Sequence, residues 1–515
     1  MALVDLLDRG ALLAPERNFA LHRGRAVSYA QAVEHVERIA RRLRADGIVP
    51  GDRVAVYGPN DADALLVVYG IVRAGATWVA LNARSSSELN LGVVRFTEAS
   101  LVFYHSTFAE VVADWTELAP ELRERVCLDE PDGNVPSLAV WLDEDQWTGR
   151  LPTPRPDATV ALLPTGGTTG RPKAVQLTNL NIDAMAANWL HAMPCAPAHA
   201  VHMLAAPMTH GAGLAAFALT GVGATHVIHD YVDVSEILDG IEQHRVTHLF
   251  LPPTVIYLML EHPEVTKRDY RSLEYFVYGA APMSVDRLRG AISVFGPVMA
   301  QVFGQIEAPM TCTCLTPDEH RVPAGKEHRL LSAGRPTLLT AVAVMDQDGE
   351  LLARDRRGEI VVRGPLVTPG YFRDPQATAD ATYNGWHRTG DIGYLDGDGY
   401  LYIVDRKRDL IISGGFNVFP SEVERVIWMH PAVQDCAVIG TPDPKWGEVV
   451  TAVVELRPGA TLAAEELISF CRERLDGMRT PKRVEIVRDL PRSPVGKVLK
   501  REVRDRFWHQ ESRAV

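Results

Sequence analysis

From residue 52 the chain runs DRVAVYGPNDADALLVVYGIVRAGATWVALN: a β-branched apolar run, a turn at 58–60, apolar positions at helical spacing, then another short apolar run. This pattern predicts a βαβ unit, because short uniformly apolar runs suit buried strands while a three-to-four spacing suits one face of a helix. The rhythm returns after residue 158. TVALLP reads as a strand, 182–190 as a helix, VHMLAAP as a strand, the residues after Gly213 as a helix, ATHVIHD as a strand and VSEILDGIEQH as a helix. THLFLPP adds a strand, and LEYFVYGAAPMSVDRLRGAI a strand, a turn and a helix. Strands alternating with helices predict mainly parallel sheets covered on both faces, with ligands at the carboxyl ends of the strands.

Past residue 330 the texture changes to hairpins, with Asp-Gly turns in MDQDGELL and LDGDGYLYIV, which predicts a small β subdomain. Beyond Asp405 the pattern is mixed: a helix from Pro420, strands CAVIG and VVTAVVEL, a helix from Ala463, the strand RVEIV and a last helix rich in Lys and Arg. The fold class expected is therefore α/β: a large N-terminal domain of doubly wound sheets plus a small β subdomain, followed by a smaller mobile α+β C-terminal domain. The boundary is placed at Asp405 and Arg406, giving domains 1–404 and 405–515.

Composition sharpens this picture at a few points. A chain of 515 residues exceeds what one core usually serves. A net charge of −12 without a long basic block argues against a nucleic-acid platform, which needs clustered cations to neutralise phosphates. The first residues carry Asp5, Asp8 and Pro15 and do not read as a signal peptide, and the apolar stretch 214–228 is broken by Thr220, Gly221, Gly223 and His226, short of a membrane span. The expectation is a cytoplasmic protein. Six scattered cysteines suit free buried thiols, and Cys312 with Cys314, the one close pair, reads as core or loop rather than a metal site.

Candidate chemistry begins at residues 162–178, LLPTGGTTGRPKAVQLT. Gly166, Gly167 and Gly170 let backbone N–H groups approach an anion closely; Thr165, Thr168 and Thr169 offer hydroxyls, and Lys173 offers a cation. The ligand these residues suit is a polyphosphate. The spacing is not the Walker pattern, so the common P-loop ATPases are not implied. With the further motifs YGAAP (278–282), FGQIEAPM (303–310), RTGDIGYLDGDGYL (388–401), IVDRKRDLIISGGFNVFPSEVE (403–424) and SPVGKVLK (493–500), in this order, the chain resembles the adenylate-forming superfamily of acyl-CoA synthetases, peptide adenylation domains and beetle luciferases. The resemblance spans nearly the whole chain.

The resemblance implies ATP, Mg²⁺ and CoA as cofactors and co-substrates and a small carboxylic acid as partner; a homodimer is left open. It implies a nucleotide site made of the glycine-rich loop with Lys173, of Gly279, Ala280 and Ala281 beside adenine, of Phe303, whose ring suits stacking on adenine, of Gly304 and Gln305, and of Asp391, Ile403 and Arg406 at the ribose and phosphates. Glu307 would hold Mg²⁺. The implied catalytic set is Lys497, Glu307 and Thr165, with His210 at the mouth of an acyl pocket and given no acid–base work. That pocket would be lined by His210, Gly211, Ala212, Gly213, Tyr278 and Gly279, where small residues are expected to leave room. Asp405 would be the hinge, and Ser413, Gly414, Gly415, Phe416 and Asn417 the loop beside the pantetheine of CoA.

The activity so implied is an ATP-dependent carboxylate–CoA ligase, forming an acyl-adenylate and then a thioester. No carboxylate stands within 207–217 to pair with an α-ammonium, which argues against amino acids and for a fatty, alicyclic or aromatic acid. Two alternatives stay open: loading of a carrier protein's phosphopantetheine, and a catalytically weak nucleotide-binding relative. One departure favours the latter: Ile306 stands where the superfamily commonly has Thr, whose hydroxyl serves the α-phosphate. Thr165, Thr168 or Gln305 could supply the missing donor.

Overall fold

The computed structural model describes residues 2–143, 147–165, 173–492 and 498–508. Among them, two large sheets carry the N-terminal part. In the first, of nine strands, Met299–Phe303, Tyr275–Tyr278, His248–Leu251, Val201–Leu204, Thr225–Ile228 and Asn18–His22 run parallel in that spatial order, and short antiparallel strands close both edges. In the second, of six strands, Glu124–Cys127, Leu101–Tyr104, Arg53–Gly58, Thr77–Asn82 and Thr159–Thr165 are parallel. Lys173–Thr178 then turns back antiparallel on Thr159–Thr165. The parallel expectation thus holds for the body of both sheets. The glycine-rich loop, however, joins the arms of a hairpin.

Parallel strands buried on both faces need apolar runs, and the helix Ala62–Arg73 that crosses from Arg53–Gly58 to Thr77–Asn82 is buried nearly throughout. Its first turn is capped by Asp61, whose carboxylate accepts from the amides of Asp63 and Ala64. The adjacent strands Tyr275–Tyr278 and Met299–Phe303 end side by side, so the segments that follow them, 279–282 and 304–310, share one edge. That edge is where ligands settle in such sheets.

A five-stranded β subdomain follows, with Gly358–Arg363 and Leu401–Arg406 flanking Trp386–Leu395. The expected boundary coincides with the last two residues of Leu401–Arg406, where Asp405 pairs with Ile392 and Arg406 with Asp391. The C-terminal part is a second five-stranded sheet, built on the long hairpin Val433–Asp443 and Gly447–Leu456, with Arg483–Val487 added in parallel. Helices Pro420–Ile427, Ala464–Arg472 and Lys500–Trp508 pack on it. All six cysteines are free thiols, five of them buried. Among the described residues no helix is long and apolar enough to cross a membrane.

Candidate active site

Met299–Phe303 ends on the half-exposed edge, and the chain then folds back sharply. Gly304 makes the turn possible: a Cβ there would stand 2.4 Å from the Met310 backbone nitrogen and 2.7 Å from the Ala308 carbonyl. Gln305 N donates to the Ala308 carbonyl and Cys312 N to that of Phe303, so 304–310 is a closed loop that displays Gln305, Ile306 and Glu307.

Gln305 donates from Nε2 to the Thr389 carbonyl at 2.7 Å and to Asp391 Oδ2 at 2.9 Å. Asp391 is buried, and its Oδ1 lies 3.4 Å from Arg406 Nε, the residue directly opposite it in the antiparallel pair. Three residues from three separated motifs (Gln305, Asp391 and Arg406) therefore meet at one place. Ile306 packs with the partly buried apolar side chains on the main core. Gln305 is corrected as a candidate substitute for the missing hydroxyl, because its amide nitrogen is already committed to Thr389 and Asp391.

Glu307 is half-buried, and its Oε1 accepts from the Tyr371 hydroxyl at 2.7 Å. Oε2 has no hydrogen-bond partner among the described residues. One carboxylate oxygen left for a hard cation, with the remaining positions open to phosphate and water, fits Mg²⁺, which is held through one or two carboxylates plus substrate oxygens. Among the described residues, no cluster of three or more His, Cys, Asp or Glu side chains at metal-binding distance occurs.

Of the glycine-rich loop, Thr165 and Lys173 are described and face each other across the hairpin; Gly166, Gly167, Thr168, Thr169 and Gly170 lie outside the described residues. Lys173 Nζ stands 5.5 Å from the centroid of the Tyr371 ring. Tyr371 is a contact the motif reading missed. Nothing local in TPGYFRDP beyond a Pro-Gly turn marks it, since its partners are far away in sequence.

At the end of Tyr275–Tyr278, Ala280 takes a left-handed conformation with φ 66°, uncommon for a residue with a side chain and a conformation that gathers at binding sites. Tyr278 itself points inward, its hydroxyl 3.0 Å from His320 Nε2 and 3.2 Å from Gln301 Oε1. It is buried structure, not the wall of an open pocket as expected. Ile403 is half-buried and packs on the main core.

His210 directly precedes the helix Gly211–Thr220 without a side-chain bond to its first turn, and its Nδ1 lies 2.9 Å from Thr209 Oγ1. Burial pushes its imidazole down to about 4, so it is neutral at neutral pH. The expectation that small residues leave space here is corrected as well. A Cβ on Gly211 would meet the Phe250 ring at 2.9 Å and Met310 Cε at 3.3 Å, one on Gly213 would lie 1.9 Å from the Met208 carbonyl, and Ala212 is buried. The room beside these residues is filled by the protein itself.

In the C-terminal part, Asp405 accepts from the amides of Arg406 at 2.8 Å and Ser421 at 2.7 Å, tying the end of the β subdomain to the first turn of Pro420–Ile427. Ser413, Gly414, Gly415, Phe416 and Asn417 form the tip of the hairpin Ile411–Ser413 and Phe416–Val418, with the Phe416 ring 63% exposed. Lys497 lies outside the described residues.

A two-sheet α/β domain, a β subdomain, a small C-terminal α+β domain and this set of side chains together define an adenylate-forming enzyme. The chain belongs to the AMP-binding enzyme family: residues 7–372 match the model of the AMP-binding enzyme, and 422–497 that of the AMP-binding enzyme C-terminal domain. Within it, the protein is an enzyme of the AMP-forming acyl-CoA ligase type. A feruloyl-CoA synthase from Amycolatopsis sp is 37% identical over 504 residues, 97% of this chain and 98% of that protein. ScoC of Streptomyces coeruleorubidus, a fatty acid–(acyl-carrier-protein) ligase, is 33% identical over 525 residues, 100% of this chain and 98% of that one. The crystal structure of ATP-bound MatB from Rhodopseudomonas palustris matches with a TM-score of 0.89 at 29% identity, covering 98% of this chain and 99% of that one.

Proposed function

We propose that this enzyme activates an apolar aromatic or fatty carboxylic acid with ATP and passes the acyl group to the thiol of CoA. The observation that carries the reading is the convergence of Gln305, Glu307, Asp391 and Arg406 beside the ends of two adjacent parallel strands. Feruloyl-CoA synthase, similar along nearly the whole length, supports an aromatic acid.

In this reading the Asp391 carboxylate, oriented by Gln305 and balanced by Arg406, accepts from the ribose hydroxyls. Phe303 and the 279–281 backbone flank the base. The glycine-rich loop, with Lys173, donates to the phosphates. Mg²⁺ held by Glu307, when bound, offsets negative charge on the phosphate chain. The remaining barrier is the approach of one anion, the carboxylate, to another, the α-phosphate. Preorganised donors lower it because they act where water is excluded. The carboxylate oxygen attacks phosphorus, pyrophosphate leaves, and the resulting mixed anhydride is then attacked at its carbonyl carbon by the thiol, releasing AMP. The two chemistries need different partners at one site, so the unit 405–515 is proposed to turn about Asp405, exchanging Lys497 for the 413–417 tip.

Acid-dependent exchange of labelled pyrophosphate into ATP, run over a panel of hydroxycinnamic, benzoic and straight-chain acids, tests the first half. Exchange with none of them would overturn the proposal. A second reading, transfer to a carrier protein's phosphopantetheine, is favoured by the similarity to ScoC over the full length. Thioester formation with CoA and with a holo-carrier protein, compared on the best acid, separates the two acceptors.

Ile306 yields a further expectation. It packs on apolar side chains and offers no hydrogen to phosphate, so Ile306→Thr should raise the pyrophosphate-exchange kcat by about 10-fold or more, given what single transition-state donors are worth. An unchanged kcat would mean that other groups already meet that oxygen.

A further inference from the structure

Segment 368–372 is bonded to both halves of the candidate phosphate site. Toward the hairpin, Phe372 N donates to the Ala174 carbonyl at 2.8 Å, Gln176 N to the Gly370 carbonyl at 3.1 Å, and Tyr371 bridges Val175 in antiparallel fashion. Toward the 304–310 loop, Thr368 N donates to the Glu307 carbonyl at 2.7 Å. At the crossing stands one side chain. The Tyr371 hydroxyl is bonded to Glu307 Oε1, and its ring lies under the Lys173 ammonium.

We propose that Tyr371 is a positioning residue for adenylation: its hydroxyl orients Glu307 toward the metal and its ring seats Lys173, so that cation and carboxylate meet the same phosphate chain in fixed relation. The inference rests on the reading of Glu307 as the carboxylate that holds Mg²⁺. A phenol suits both tasks. The hydroxyl donates to the carboxylate at 2.7 Å. With Oε1 so engaged, the carboxylate is turned and Oε2 is left for the cation. The ring face offers Lys173 a seat that does not compete with phosphate as a carboxylate would. Partners of this kind, one bond behind a metal ligand, typically change metal affinity by 10–100-fold when removed.

The experiment is ATP binding to the full chain by titration calorimetry, once with MgCl2 and once with EDTA, for the wild type, Tyr371→Phe, Tyr371→Leu and Glu307→Gln. Tyr371→Phe, which keeps the ring, is expected to lower the gain in ATP affinity conferred by Mg²⁺ by about 10-fold, with affinity in EDTA, the KM for the acid and the unfolding midpoint unchanged. Tyr371→Leu is expected to weaken binding in EDTA as well, because Lys173 loses its seat. If Glu307→Gln loses the Mg²⁺ gain but Tyr371→Phe keeps all of it, the inference is wrong while the reading of Glu307 stands. If Glu307→Gln also keeps the gain, the reading of Glu307 fails and the inference falls with it.

Discussion

Lys497→Ala is expected to lower adenylation, read as pyrophosphate exchange, by about 10³-fold, while transfer to CoA from a supplied acyl-adenylate stays within a few-fold of wild type. The two half-reactions differ in what they ask of a cation. The first brings two anions together; the second joins a thiol to an already activated carbonyl. Lys497 lies outside the described residues, but the chain on either side of 493–497 is held firmly. Before it, Arg492 pairs with Asp435 at 2.8 Å and Glu455 at 3.1 Å, and forms a bridge with Val498. After it, the half-buried Lys500 reaches the buried Glu424 at 2.8 Å, and Arg504 reaches Asp409 at 3.0 Å. Glu424 Oε1 also accepts from Val438 N at 2.8 Å, so the pair is compensated rather than left as bare buried charge. Removing the Lys497 side chain should therefore leave the C-terminal fold intact, and an unchanged unfolding midpoint is the control. Equal loss of both half-reactions would contradict the exchange of Lys497 for the 413–417 tip.

The reach of the sequence differs by feature. Strands such as Arg53–Gly58 and His248–Leu251 are legible because a strand covered on both faces is apolar at most positions, and the crossing helix must follow with its own spacing. The ends of the chain's own pairings are not legible. Asn18–His22 joins Thr225–Ile228 across some two hundred residues, and no local pattern selects that neighbour. The antiparallel return of Lys173–Thr178 is similar, since a strand after a glycine-rich turn can continue in either direction until its partner is known.

Within the candidate site, residues with distinctive chemistry in short motifs (Glu307, Asp391, Arg406) are legible as candidates, and the structure brings Asp391 and Arg406 into contact. What the motifs could not convey is where a side chain is already spent. Gln305 faces Asp391 instead of an open phosphate position, Tyr278 is bonded to His320, and the space beside Gly211 belongs to Phe250 and Met310. Tyr371 was invisible for the converse reason: its importance lies in contacts with Lys173 and Glu307 that only the folded chain creates.

The largest stability effect expected is loss of the fold on mild acidification. His202, His226 and His248 stand in register on three neighbouring strands, all fully buried. Their hydrogen bonds require neutral rings. Thr220 Oγ1 gives its one hydrogen to the Ala216 carbonyl, so His226 Nε2 must donate to Thr220, at 2.9 Å; its bare Nδ1 then accepts from His202 Nδ1, at 3.2 Å. By the same logic Thr247 Oγ1 donates to the Val201 carbonyl and His248 Nδ1 donates to Thr247, at 2.7 Å. A second proton on His226 would set two N–H groups against each other. Burial holds His226 at about 3 and His248 at about 4, and pushes His202 well below its ordinary value. The unfolded chain takes up protons near pH 6.5 and the folded chain does not, so stability is full above that pH and falls as pH drops toward 4. At pH 5 each ring costs about 2 kcal/mol and the row about 6 kcal/mol, comparable with a typical total of about 5–15 kcal/mol. Denaturant unfolding at pH 7.5, 6 and 5 measures this directly. His248→Leu should make the slope of stability against pH shallower by about one proton. A wild type equally stable at pH 5 and 7.5, or a variant with the wild-type slope, would show that these rings do not set the acid limit.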